Sequence, residues 1–212
     1  DKILSKFDEI SKKGEYVLGS ELEKFEKEFA NFCGTKFAIG VGNCSDALSL
    51  SMIALGIGKG DEVILPGNSF IATACTVVNV GATPVFVDVL KDYNIDPQKI
   101  KKVINKKTKA IIPVHLTGRI ADMDQIMQIA NENKLYVIED AAQAVGASLN
   151  NKKSGSFGIT GCFSLHPLKN LHVQGDGGII TTNDATIYYF IKKLRNHGLK
   201  NREECVFWGY NS

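Results

Sequence analysis

Short apolar runs alternate with amphipathic ones along most of the chain. FAIGV (37–41), DEVILP (61–66), TPVFVDV (83–89), KAIIPVH (109–115) and KLYVIED (134–140) read as strands. Between them, SDALSLSMIALG (45–56), SFIATACTVVNVG (69–81), DPQKIKKVI (96–104) and ADMDQIMQIANEN (121–133) read as helices, with Pro97 suited to a first helical turn. Strands of low charge alternating with helices at short spacing are the signature of βαβ units and a mostly parallel sheet covered on both faces. Upstream, the chain before Gly34 reads as helix: Leu22, Phe25, Phe29 and Phe32 recur at helical spacing, and Ser20 with Glu23 fits a capping box. After residue 145 the pattern changes. ASLNNKKSGSFG is a polar, turn-rich excursion, TGCFSLH (160–166) and GGIITT (177–182) read as two more strands, and DATIYYFIKKLRNHG (184–198) as a helix. With no internal repeat, low-complexity tract or linker, residues 1–212 are expected to form one α/β domain.

Composition narrows the class. The 212 residues are enough for a well-buried core, and 44% apolar with 23% charged is ordinary for a globular protein. A net charge of +2 with no basic block gives no pull toward nucleic acid or anionic membrane. No early apolar stretch carries a cleavage site, and no apolar run is long enough to span a bilayer, so the expected location is the cytoplasm. Five scattered cysteines, Cys33, Cys44, Cys75, Cys162 and Cys205, form no C-x-x-C pair and fit reduced thiols there. The four histidines lack metal-ligand spacing. The sequence stops at FWGYNS with no helix or strand closing it off, which suggests a piece of a longer protein.

In open α/β sheets ligands bind beyond the carboxyl ends of the strands, so the loops there hold the candidate chemistry. GNCSDA (42–47) follows a strand and opens a helix; its free amides and the helix dipole suit a phosphate, while Ser45 or Asp46 could equally be an ordinary N-cap. VIEDAAQAVGA (137–147) ends a strand in two acids that alternate to opposite faces. Asp140 could accept a hydrogen bond from a protonated ring nitrogen, or cap the segment that follows. In CFSLHP, Ser164 and His166 share one face, and Lys169 lies just past it. A buried or cation-flanked lysine has a lowered pKa and can attack a carbonyl, whereas most loop lysines face solvent. Together, a phosphate cradle, a strand-end carboxylate and a lysine are the parts needed to hold pyridoxal phosphate.

GNCSDALSLSMIALGIGKGDEVILPGNSFIATA, PVHLTGRIADMDQI, VIEDAAQAVGA, FSLHPLKNL, GDGGIITTND and the final WGYNS resemble the pyridoxal-phosphate aminotransferases of nucleotide-linked keto-sugars, which have the aspartate-aminotransferase-like fold. The resemblance runs in order from Gly19 to the last residue. It implies an α/β large domain with a mostly parallel, mixed sheet, and a smaller C-terminal domain outside this chain. It implies that Lys169 is the Schiff-base lysine, Asp140 the partner of the pyridine nitrogen, and Gln143 the amide on the cofactor's phenolic oxygen. Phe70 would stack on the ring. Cys44, Ser45 and Asp46 would form the phosphate turn, Ser164 would add a hydroxyl, and Asn211 would reach the phosphate of a neighbouring subunit, making the protein a homodimer with shared active sites. Amino transfer from glutamate to a keto-sugar on a nucleoside diphosphate is the implied reaction, with Lys169 moving the proton.

Four positions depart from the usual pattern of that family. Cys44 stands where glycine is frequent, Thr117 in HLTG where tyrosine is frequent, and His172 and Gln174 where small residues are common. Two rival readings use the same fold. Some sugar dehydratases of this kind replace the lysine with histidine, and this chain keeps Lys169. A regulatory protein without turnover is the other.

Overall fold

A computed structural model describes residues 2–212. Seven strands form one sheet in the order β1-β9-β8-β5-β4-β2-β3. They are β1 (Phe37–Val41), β2 (Glu62–Pro66), β3 (Thr83–Val87), β4 (Thr108–Ile111), β5 (Tyr136–Asp140), β8 (Thr160–Ser164) and β9 (Gly178–Thr182). Only β9 is antiparallel to its neighbours; the other pairings are parallel. A small hairpin, β6 (Ser148–Leu149) and β7 (Lys152–Lys153), occupies the polar excursion, with Asn150 and Asn151 at positive φ in its turn. Asparagine in the left-handed region is what such a two-residue hairpin turn requires.

Alternation along each strand sorts side chains to two faces. Ile39, Val63, Leu65, Ile138, Cys162 and Ile180 point to one layer, where they pack with Leu48 and Met52 of α3 (Cys44–Ala54), Val77 of α4 (Ile71–Asn79) and Ile191 of α7 (Ala185–Leu194). Ile64, Ile111 and Val137 point to the other, under α5 (Pro97–Val103) and α6 (Met123–Asn133). On that second face Phe163 and Ile179 meet Phe29 of α2 (Ser20–Cys33). The near-continuous apolar strands are therefore the consequence of a sheet covered on both sides.

Several sequence expectations need correction. The segment before Gly34 is two helices, α1 (Lys2–Lys13) and α2, parted by a bend with Gly14 and Leu18 at positive φ. No capping box forms, because α2 begins at Ser20 and its N-cap is Gly19; the Ser20 hydroxyl donates to Glu15 instead. The inward face of α2 carries Phe29, Ala30, Cys33 and also Glu26, whose carboxylate accepts from Arg195 and from the Gly40 amide. Strand β4 stops at Ile111, since Pro113 has no N–H for the ladder; Val114 only bridges to Asp140. Helix α7 ends at Leu194 rather than running to Gly198. Its follow-on residues pair with the last segment, His197 N–H donating to Tyr210 at 2.7 Å. Among the described residues, no helix is long and apolar enough to cross a membrane.

Candidate active site

The carboxyl ends of β1, β5 and β8 and the first residue of reversed β9 lie side by side, as the pairing of Val41 and Ser164 with Gly178 requires. Above them opens a cavity of about 610 Å³, within the range of roughly 300–1,000 Å³ usual for small-molecule sites. Its walls include Cys44, Ser45, Asp46, Phe70, Asp140, Gln143, Ser164 and Lys169. Eight residues singled out from the sequence thus share one cavity. Asn211 is the exception: it is exposed and forms a bridge with Asn196 outside the cavity wall.

The turn from β1 into α3 is tight. Asn43, not Ser45 or Asp46, is the N-cap, its side chain accepting from the Asp46 amide at 2.8 Å. Because the helix starts at Cys44, Ser45 and Asp46 fall in its first turn, where amides have no intrahelical acceptor and the dipole is positive. The turn sits hard against β9: a Cβ on Gly178 would lie 2.4 Å from the Asn43 carbonyl carbon. The glycine of GDGG is what lets the cradle close. The Cys44 thiol is pushed well above its ordinary pKa by burial, so it stays protonated and adds no negative charge beside the anion site. The Asp46 carboxylate turns away to accept from the Ser212 hydroxyl at 2.8 Å.

Asp140 closes the opposite end. It is only 5% exposed. One carboxylate oxygen accepts from the Thr73 hydroxyl at 2.8 Å and the other from the Ala142 amide at 3.2 Å. Burial raises its pKa, and those two bonds and the charge of Lys169 pull the other way. It is no helix cap, since the residues after it form turns. A cationic group entering the cavity would favour its ionised form further.

Lys169 lies in the loop between β8 and β9, half-buried, and its amine makes no hydrogen bond or ion pair among the described residues. The loop itself is anchored. Lys169 N–H donates to the His166 carbonyl at 2.9 Å, and the neighbouring Asn170 amide donates to Val145 at 2.9 Å. Leu168 N–H donates to Nδ1 of His166 at 3.2 Å, and that imidazole lies on the cavity wall with Nε2 unbonded among the described residues. A free amine on a fixed backbone is an arrangement suited to covalent capture of a carbonyl.

Sequence reasoning missed Thr73, Asn43 and Asp176, all on the cavity wall. Thr73 had a faint signal: it stands three residues after Phe70 and so shares that face of the α4 entrance. His115 is fully buried and bonded to Glu139 at 2.9 Å, away from the cavity wall.

A mixed sheet with helices on both faces, a helix N-terminus, a buried strand-end acid and a lysine without a partner among the described residues, all around one cavity, define a fold of the pyridoxal-phosphate-enzyme type. The chain belongs to the DegT/DnrJ/EryC1/StrS aminotransferase family, whose sequence pattern matches residues 1–212. It is 43% identical over its whole length to a pleiotropic regulatory protein of Geobacillus stearothermophilus, covering 57% of that protein. It is 44% identical to a UDP-2-acetamido-2-deoxy-3-oxo-D-glucuronate aminotransferase of Pseudomonas aeruginosa, covering 100% of this chain and 59% of the relative. The crystal structure of NtdA from Bacillus subtilis with bound cofactor PMP superimposes with a TM-score of 0.93 at 36% identity, over 99% of this chain and 48% of that one. The chain therefore spans little more than half the length of the curated relatives it matches.

Proposed function

We propose that the protein of which this chain forms the large domain is a pyridoxal-phosphate-dependent aminotransferase acting on a keto-sugar linked to a nucleoside diphosphate, with glutamate as amino donor. The observation that carries it is the convergence of Lys169, Asp140 and the start of α3 on one cavity. The residues fit the cofactor at both ends. Amides of the first α3 turn and the Ser164 hydroxyl suit a phosphate, and Asp140, buried and short of a cation, suits a protonated ring nitrogen. When bound, pyridoxal phosphate would supply an aldehyde for the Lys169 amine and a ring able to accept electrons.

The residues then have separate tasks. Asp140 holds a proton on the ring side of the cavity and stabilises positive charge there, while Thr73 keeps its carboxylate oriented. Phe70, at the α4 entrance and 73% exposed, provides an aromatic face toward the ring. With the cofactor in place, the Lys169 amine would be the base that moves a proton between the substrate carbon and the cofactor carbon. Asn211, lying outside its own cavity, serves the phosphate of a second subunit, so the proposed active unit is a homodimer; the smaller domain completes the sugar site.

The relative named as a regulatory protein motivates a second reading, binding without turnover. The intact Lys169 favours the first. Full-length protein incubated with glutamate should convert bound cofactor from its aldehyde to its amine form, and Lys169→Ala should abolish both that change and amino transfer to nucleotide-linked keto-sugars followed by mass spectrometry. A silent wild type would leave the binding reading standing, and a K169A enzyme turning over at the normal rate would remove Lys169 from the chemistry.

A further inference from the structure

The turn after β4 is strained at a residue that touches the cavity wall. Thr117 sits at φ 54°, ψ 24°, the left-handed region that is a true outlier for a β-branched residue. Such strain persists only where the surroundings impose it. Here they do. The Thr117 hydroxyl donates to the Leu116 carbonyl at 2.7 Å. The Leu116 amide donates to Oδ1 of Asn94 at 3.2 Å, and Nδ2 of Asn94 donates to the Arg119 carbonyl at 3.3 Å. One side chain, Asn94, 1% exposed, thus ties both ends of the turn. Gly118 follows at φ +83°, so close to Gln143 that a Cβ would lie 3.3 Å from its carbonyl oxygen.

All this aims a single group. The Thr117 N–H donates to Oε1 of Gln143 at 2.9 Å. An N–H can be accepted only by the oxygen of that amide, so the side chain has one sense: oxygen toward the turn, NH2 away from it. Gln143 is part of the cavity wall. We propose that the Leu116–Gly118 turn, pinned by Asn94, is a positioning device that commits the Gln143 amide to present its NH2 to the cavity, making that wall a hydrogen-bond donor to an oxyanion of the bound ring. The inference rests on the cofactor reading above, in which the phenolic oxygen is that oxyanion. Without the turn the amide could rotate and offer its carbonyl, which a phenolate repels. Thr117, Leu116 and Asn94 are positioning residues; none is placed in contact with cofactor or substrate.

The test uses full-length holoprotein and reads the pH midpoint of the bound cofactor's absorbance change, which a merely structural role would not move. A donor to an oxyanion stabilises its deprotonated form, so losing the donor raises the midpoint. Gln143→Glu keeps an acceptor for Thr117 but has no hydrogen for the ring, and should raise the midpoint by about one pH unit. Thr117→Val loses the hydroxyl that supports the strained turn and should shift it the same way. Thr117→Asn, whose side chain tolerates the left-handed region, should stay near wild type. The Thr117→Val, Gln143→Glu double variant should go no further than Gln143→Glu alone, as coupled sites do. If T117V does not fold, Asn94→Ala frees the Leu116 amide and tests the same link with the same sign. A wild-type midpoint in the turn variants alongside a shifted Q143E overturns the positioning role alone. An unshifted Q143E shows that Gln143 does not face the ring, and a wild type that takes up no cofactor sinks the underlying reading.

Discussion

Glu139 and Asp140 are neighbours in sequence, both buried, and they do opposite things. The Glu139 carboxylate accepts from the amides of Gly155, Phe157 and Gly158 at 2.7–2.8 Å. A fourth donor is Nε2 of His115 at 2.9 Å; Nδ1 of that ring accepts from the Ala121 amide, which fixes the tautomer. Every site on that carboxylate is used by the protein, and its product is a folded 155–158 turn held to β5. The Asp140 carboxylate, on the other face, has two donors among the described residues, Thr73 and Ala142, and borders the cavity. Burial costs both charges heavily. The saturated one is repaid inside the fold. The unsaturated one is left with capacity for a ligand, and that incomplete solvation makes it the candidate functional acid of the pair.

The widest separation between the two should appear in paired measurements of turnover and stability. Asp140→Asn is expected to lower kcat by about 10³-fold, the scale of losing a preorganised electrostatic group at a reacting centre, with the folded protein intact. Glu139→Gln is expected to retain turnover in whatever folds. It should lose about 2–3 kcal/mol of stability, because an amide cannot accept from all four donors and leaves some buried and unpaired. Denaturant melts alongside single-turnover assays of the full-length variants check both. Equal losses of turnover in the two would erase the distinction.

A smaller effect separates them by pH. Burial raises the pKa of Asp140 in the folded state above its ordinary 3.8. A raised carboxylate contributes stability fully below the unfolded value and loses it as pH rises through the folded value. Cofactor-free protein should therefore lose stability relative to D140N from about pH 4 upward, until Asp140 is ionised, and the gap should then stay level. Each unit of raised pKa is worth about 1.4 kcal/mol. Thermal melts of the two proteins across that range measure it, and adding pyridoxal phosphate should narrow the gap by supplying the missing cation. A constant difference from pH 4 to 8 would mean that Asp140 carries no burial penalty.

Much of this architecture was legible because local pattern and burial agree. Val63, Ile64 and Leu65, or Val137 and Ile138, are apolar on both faces because both faces are covered, and Asp140 could be put on the face opposite Glu139 by alternation alone. What was not legible depended on contacts far apart in sequence. Thr73 reaches Asp140 across 67 positions, and Arg195 reaches Glu26 across 169. The buried Glu26 could not be told from the surface glutamates around it, while Phe32 is 44% exposed with the Lys153 amine 3.6 Å over its ring. Asn43 was passed over as a cap because the helix was read as starting at Ser45, and a shift of one residue moves the capping position. Asn211 was placed by resemblance alone, and nothing within one chain brings it to the cavity.

The finest distinction lies in Thr73, which supplies one of the two hydrogen bonds that the Asp140 carboxylate accepts among the described residues. Thr73→Val keeps the shape of the side chain and deletes the hydroxyl. Thr73 lowers the Asp140 pKa against the larger effect of burial, so its removal should raise that pKa further. One hydrogen bond to a charged group is worth about 1.5 kcal/mol, hence about one pH unit. The level part of the stability difference should begin that much higher in pH. Removing the hydroxyl also leaves the ionised carboxylate less well held. Cofactor affinity at neutral pH should then fall by roughly tenfold or less, far short of the loss in D140N, because the ring nitrogen itself can take up part of the vacated role. An unchanged pH break in Thr73→Val would show that Ala142 alone sets the ionisation of Asp140.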